Sequence, residues 1–320
     1  MTEPAQLDLF FSLVLALFWE AAPFLLLGSL VGAVVECYVS REFLARHLPQ
    51  GQVGAVLLGL GAGMILPTCE CGVVPVVRRL LDKGVTPTTA MTYMLAAPVI
   101  NPVVLISTYV AFQGRLSMVL GRVAVVAITA AVVGFYFSRR SLSEIVRPAA
   151  PLPGSAQIQP LGLMLPGEAA HPAGCACGCG HDHTGGEKSI KHLLVRTAEE
   201  FMHMSMYLLA GALAAGASKA FLPVSVLTAL QDNLVVAVLA LMALAVLLSV
   251  CSEADAFVAA SFLGFPGAAQ LAFIALGPML DLKLLAMFGG AFRRRVVLVL
   301  AVVPTVMVFA LSIVWGWLWW

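Results

Sequence analysis

Charge is scarce in this chain. Asp, Glu, Lys and Arg make up 11% of its 320 residues, against about 25% in an ordinary soluble domain. That scarcity excludes a solvated globular domain, and with 61% apolar residues the chain reads as a polytopic membrane protein. The charges that exist nearly cancel, at a net +1, so no basic field marks a nucleic-acid partner. No G-x-x-x-x-G-K-[ST] phosphate loop is present, so the chain itself is not expected to hydrolyse ATP. No dinucleotide fingerprint and no Ser/His/Asp arrangement stands out, which points away from an enzyme and requires no cofactor. The start, Met1-Thr2-Glu3-Pro4, lacks the positive n-region of a cleaved signal peptide, so the first apolar run is expected to stay as a helix. The seven cysteines form no disulfide framework. Three crowd into one polar loop and others sit at membrane depth, a pattern of ligands in a reducing compartment.

What is present is concentrated in two stretches. Pro67-Thr68-Cys69-Glu70-Cys71-Gly72 interrupts an apolar sequence, and Val250-Cys251-Ser252-Glu253-Ala254-Asp255 repeats its chemistry far downstream. Each acid costs about 2.5–3.5 kcal/mol at the bilayer centre. Glu70, Glu253 and Asp255 must therefore face the protein interior or a watery cavity. The bland reading pairs them with Arg78 or Arg79 to pin helices and treats Cys69 and Cys71 as small buried hydrophobes. The sharper reading is a site, because thiolate and carboxylate together suit zinc or another soft-to-borderline cation. A site for passage must also release its load, so an incomplete shell from two half-sites is more useful than a closed cage.

Along the chain, apolar segments cover residues 8–36, 53–68, 87–111 and 117–138, with a short one at 73–77. Residues 141–190 are rich in Pro, Gly and Ala and carry His171, Cys175, Cys177, Cys179, His181 and His183. This reads as a flexible linker with a ligand cluster for zinc or copper(I), acting as a cytosolic collector or hand-off site. The pattern then restarts at 197–218, 234–250, 255–263, 267–287 and 296–319, ending in Trp315, Trp317, Trp319 and Trp320, which read as an interfacial belt. The expected domains are a first membrane repeat at 1–140, the linker at 141–190 and a second membrane repeat at 191–320.

The halves align internally. Cys69 matches Cys251, Ala97-Pro98 matches Gly277-Pro278, Asn101 matches Asp281, and Ala111-Phe112 matches Ala291-Phe292. Pro67, Pro98, Asn101, Pro102, Pro278 and Asp281 mark helix breaks, either as packing kinks or as a polar lining. Each half has about five transmembrane or re-entrant helices, and an odd count inverts the second half relative to the first. With the N-terminus outside, every Lys and Arg except Arg115, Arg122 and Lys219 falls on the cytoplasmic side, and the central loop with them. Glu20, and Glu199, Glu200 and His203 in the matching helix, are candidate proton carriers or interface residues.

These motifs resemble the predicted permeases related to the organoarsenical exporters. The likeness rests on Pro67 to Pro75, on Ala96-Ala97-Pro98-Val99-Ile100-Asn101-Pro102, and on Cys251 to Phe257. The Cys/His-rich loop is similar to that of the subgroup described as copper/zinc efflux transporters. The resemblance implies a bacterial inner-membrane exporter conferring metal tolerance, with Cys69, Cys71 and Cys251 as the matching intramembrane positions. The expectation is an all-α, two-repeat permease that moves zinc or copper(I) along Cys69, Glu70, Cys71, Cys251, Glu253 and Asp255. Proton exchange is a drive consistent with those ligands, and a periplasmic or cytosolic carrier is an expected partner. Export of an arsenical through the same thiols is the near alternative, and a thiol–disulfide relay across the membrane is the alternative of another class.

Overall fold

Interrupted helices define the architecture. The computed structural model describes residues 3–38, 51–65, 68–147, 190–221, 233–262 and 264–319. Among these residues every regular element is an α-helix. The first half runs α1 (Glu3–Tyr38), α2 (Gln52–Ile65), α3 (Glu70–Asp82), α4 (Pro87–Ala96), α5 (Pro102–Ala111), α6 (Leu116–Phe137) and the single turn α7 (Leu142–Ile145). The second runs α8 (Ile190–Phe221), α9 (Leu234–Leu248), α10 (Asp255–Ser261), α11 (Gly267–Leu276), α12 (Leu282–Ala291) and α13 (Arg294–Trp319).

Phe10–Val31 in α1, Leu116–Phe137 in α6 and Arg294–Leu318 in α13 are long and apolar enough to cross a bilayer. The 22 residues of α6 rise about 33 Å, against a hydrocarbon layer of about 30 Å. Helices α4, α5, α11 and α12 have 10 residues each and rise only about 15 Å. They work in pairs. Thr92 of α4 donates to the Ala130 carbonyl at 3.3 Å, while Thr108 of α5 accepts from Arg122 at 2.7 Å. The α4–α5 pair thus lines the length of one antiparallel α6.

The two breaks are built bond for bond alike. In the first, Ala97 N–H donates to Tyr93, Val99 and Ile100 to Ala96, and Leu105 to Asn101. In the second, Gly277 donates to Phe273, Met279 and Leu280 to Leu276, and Leu285 to Asp281. Asn101 caps α5 by accepting the Val104 N–H at 2.9 Å, and Asp281 caps α12 by accepting the Leu284 N–H at 2.6 Å. An amide or carboxylate oxygen at this position satisfies an orphan helix donor inside an apolar medium, where an unpaired one is costly. Pro102 sits at the first helical position, where its missing N–H does no harm.

Helices α2 and α3, on either side of the Cys69 motif, form a hairpin. Thr89 of α4 donates to the Ala55 carbonyl of α2 at 3.1 Å, and Gly63 near the end of α2 abuts Ala97 near the end of α4. Helices α2 and α4 therefore run parallel and start at one face. Helix α3 ends four residues before the Thr86 cap that opens α4, so it returns to that same face. With 14 and 13 residues, α2 and α3 each reach part of the depth and meet near Cys69. The second half follows the same plan. The Ser249 hydroxyl at the end of α9 accepts the Leu282 N–H at 3.3 Å, and Ala245 lies against Gly277.

The long helices α1 and α8 close over this centre through glycines. A Cβ on Gly28 would lie 2.5 Å from Gly72 Cα on α3, and one on Gly211 would lie 2.6 Å from Lys283 Cα on α12. Small residues here let backbones meet. One large buried cluster, from Ala21 of α1 to Val308 of α13, fills the space between, and a smaller one joins Val14 and Leu17 of α1 to Ala212 and Ala215 of α8. At one end the halves are clamped by an antiparallel bridge of Val146 and Phe292, with Arg147 N–H donating to Ala291 and Arg293 N–H to Ile145. The tryptophans divide: Trp317 is 83% exposed, whereas Trp315 turns inward and meets Gly121.

Candidate functional site

Glu70 is the first residue of α3, and its place follows from the cap before it. Cys69 stays extended and its sulfur accepts the Gly72 N–H at 3.3 Å, so the helix begins with the acid pointing to its own positive end. From the other half, α12 begins after Asp281 and carries Lys283 as its second residue. The Lys283 ammonium lies 3.6 Å from Glu70 Oε1 and 3.8 Å from Asp281 Oδ2, with all three side chains essentially buried. The second Glu70 oxygen accepts the Ser252 N–H at 3.4 Å. Glu70 is thus held by two segments that are remote in sequence.

Cys69, Glu70, Cys71, Cys251 and Lys283 line one cavity of ≈ 10 Å³, with Glu20 and Ala21 of α1 at its border. That is room for about one water molecule or one bare ion. Cys71 is buried and Cys69 and Cys251 are half-buried, all three as free thiols. A second cavity of ≈ 100 Å³ lies beside it, with Thr68, Cys69, Asn101, Ser252 and Glu253 on one side and Leu27 and Val31 of α1 on the other. Cys69 borders both spaces. Among the described residues, no three His, Cys, Asp or Glu side chains are gathered closely enough to hold a metal ion. Thiols and carboxyls share a cavity here without forming a finished coordination shell.

Asp255 is placed differently. It opens α10 and faces Arg122 of α6, with Nη1 to Oδ1 at 3.0 Å and Nη2 to Oδ2 at 2.7 Å. The guanidinium also donates to Thr108 Oγ1 at 2.7 Å and to the Ser252 carbonyl at 3.4 Å. Both side chains are sealed from solvent. This forked, charge-assisted contact is of the strong kind. The buried acids therefore do not pair with Arg78 or Arg79. Arg79 instead meets Glu200 of α8 at 2.8 Å, and the His203 ring lies tilted at 60° to that of Tyr207, with centroids 5.5 Å apart.

Asn101 and Asp281 act first as helix caps, and Asn101 also reaches the larger cavity. Pro98 and Pro278 lie buried within the two breaks. Pro67 and the loop ligands His171, Cys175, Cys177, Cys179, His181 and His183 lie outside the described residues. Two bases were missed by sequence reasoning. Lys283, placed with the cytoplasmic charges, is buried at the centre, and Arg122, placed near the outer face, is buried on Asp255. The signal was available: Arg122 lies several residues inside an apolar span, and Lys283 sits two residues past an intramembrane acid. An ionisable residue at that depth has a partner or a task.

Comparison with known proteins covers almost the whole chain. The family model ArsP_1, described as a predicted permease, matches residues 6–317. The UPF0718 protein YcgR of Bacillus subtilis is 35% identical over 303 residues, covering 94% of this chain and 95% of that protein. A Streptococcus mutans protein, named as a subunit of a two-component membrane permease complex, is 32% identical over 294 residues, covering 90% and 88%. The UPF0718 protein YraQ of Escherichia coli is 28% identical over 88 residues, 28% of this chain. No solved structure matches.

Proposed function

We propose that this chain, which belongs to the ArsP_1 family of predicted permeases, exports a thiophilic metal cation, zinc or copper(I), from the bacterial cytoplasm. The observation that carries the reading is one cavity lined by Cys69, Glu70 and Cys71 from the first half and Cys251 from the second. Sulfur and carboxylate in one small space suit a soft-to-borderline cation. The carboxyls of Glu20, Glu70 and Asp281 outnumber the single ammonium of Lys283 around it, which favours a cation over an oxyanion. An unfinished shell suits release, since a closed structural site would trap its ion.

On this reading the halves are inverted repeats in the plane of the inner membrane, and access alternates by rocking about the shared centre. The Cys/His loop stands on the cytoplasmic side and collects the ion. A second protein completes the transporter, by analogy with the Streptococcus mutans relative named as part of a two-component complex. One observation favours an arsenical as the alternative cargo: the ≈ 100 Å³ cavity is lined by the aliphatic Leu27, Val31 and Val103 together with Cys69, a lining suited to an organic metalloid. Expression in a metal-sensitive bacterium separates the two. Tolerance to zinc or copper, lost on deleting residues 171–183, supports cation export. Tolerance to arsenicals alone, unchanged by that deletion, rejects it.

A further inference from the structure

Two ion pairs join the halves at the centre, and they differ in kind. Arg122 grips Asp255 through two bonds of 3.0 and 2.7 Å and spends further donors on Thr108 and Ser252. Lys283 stands 3.6 Å from Glu70 and 3.8 Å from Asp281. Both separations exceed the about 2.7–2.9 Å of a charge-assisted N–H···O bond. The lysine is held by field more than by hydrogen bonds. Its backbone is pinned, because Gly211 of α8 lies directly against its Cα. Its ammonium ends a four-carbon stem with several rotatable bonds and is buried with both acids within 4 Å. This ammonium also lines the same cavity as Cys69, Cys71 and Cys251.

We infer that Lys283 is a resident cation that occupies the empty site in place of cargo, and that a metal ion enters only as the ammonium swings off Glu70; the inference rests on the export reading above. Glu70 answers to one positive charge at a time. With cargo absent, Lys283 satisfies the buried carboxylate, so the empty carrier can reorient without exposing an uncompensated acid. With cargo present, the ammonium retreats towards Asp281, still within the field of that acid. Its return evicts the ion. Lys283 thereby lowers affinity and speeds release, a positioning and competing role that touches cargo through Glu70.

The test is zinc binding and zinc transport by the full-length protein carrying Lys283→Met. The expected result is zinc binding at least about tenfold tighter than wild type with a lower maximal transport rate, so that KM and kcat fall together. A purely structural lysine predicts zinc binding weakened or unchanged, and that result overturns the inference while leaving wild-type export intact. If the single variant does not fold, the double variant Lys283→Met with Asp281→Asn removes one charge of each sign and keeps a capping side chain. It is expected to bind zinc more tightly as well. A cargo-free arm separates this inference from the export reading. In a background with the other six of the seven cysteines changed to serine, Cys251 is modified by cationic and by anionic thiosulfonates. Lys283→Met should accelerate the cationic reagent relative to the anionic one by about tenfold or more, and an unchanged ratio overturns the inference. Zinc that binds neither protein, together with a shifted ratio, rejects zinc as cargo but keeps Lys283 as the cation of the cavity.

Discussion

Glu70 and Asp255 hold the same local position, each the first residue of a short helix that begins at a cysteine motif, and each reaches a base carried by the opposite half. Glu70 of α3 meets Lys283 of α12, and Asp255 of α10 meets Arg122 of α6. The halves are thus sewn together twice through acids that open helices. One of these seams is tight and the other loose, and that difference assigns them different tasks.

The tight seam is a stability element. Arg122→Ala leaves Asp255 buried without its guanidinium, and breaking such a pair costs about 3–5 kcal/mol. The expected outcome is a large drop in thermal stability in detergent, with little folded protein recovered. Arg122→Met combined with Asp255→Leu should recover most of that loss, because a neutral pair leaves no charge stranded. Additive losses in the double variant would contradict this assignment.

Gly28 sets the approach of α1 to the Cys-Glu-Cys helix. A methyl there meets Gly72 backbone atoms within 3 Å, so Gly28→Ala should destabilise by about 1–3 kcal/mol through overpacking and should depress transport. Gly61 on α2 has nothing within 4 Å of its added Cβ, and Gly61→Ala should leave both stability and transport near wild type. Equal effects at the two positions would deny the close contact.

The caps at the two breaks are interchangeable in chemistry. Asp281→Asn keeps the cap but removes one of the two charges facing the buried Lys283, so it should cost less stability than Asp281→Ala, while Asn101→Ala should cost about 1 kcal/mol through the lost helix cap. Thermal unfolding of the four proteins in one detergent decides it. A loss for Asp281→Asn as large as for Asp281→Ala would mean that charge, not capping, is what α12 needs.

Thiol reactivity should follow burial. Cys71 is buried while Cys69 and Cys251 are half-buried, so a small water-soluble maleimide should label Cys71 most slowly of the three. Single-cysteine variants and mass spectrometry give the order directly. Fast labelling of Cys71 would place it on an open path and not at the back of the cavity.

Much of this arrangement can be read in the chain before any coordinates. The paired breaks are legible because proline, a short polar cap and the flanking apolar runs recur together, at Ala97-Pro98 to Asn101 and at Gly277-Pro278 to Asp281. The gathering of Cys69, Cys71 and Cys251 follows from the price of leaving sulfur and acid in lipid. The partners of Glu70 and Asp255 are not legible in this way, because no local pattern links an acid to a base more than a hundred residues away. Lys283 misleads for a physical reason. Positive charge near an apolar segment usually marks the cytoplasmic edge, and only the packing of α12 beside α3 reveals it at depth. Helices α2 and α3, with 14 and 13 residues, are each shorter than the about 20 residues of an ordinary span, and the chain alone does not show that they pack as a hairpin.

A single passage for a soft cation, built of thiols and carboxyls from both halves, makes transport depend on Cys69 and Cys71. This dependence is tested most directly by zinc and copper(I) uptake into inverted membrane vesicles, comparing wild type with Cys69→Ser plus Cys71→Ser. Uptake of one or both ions is expected for wild type, with a fall of at least about tenfold in the variant at equal protein level. Uptake that persists unchanged in the variant would contradict it.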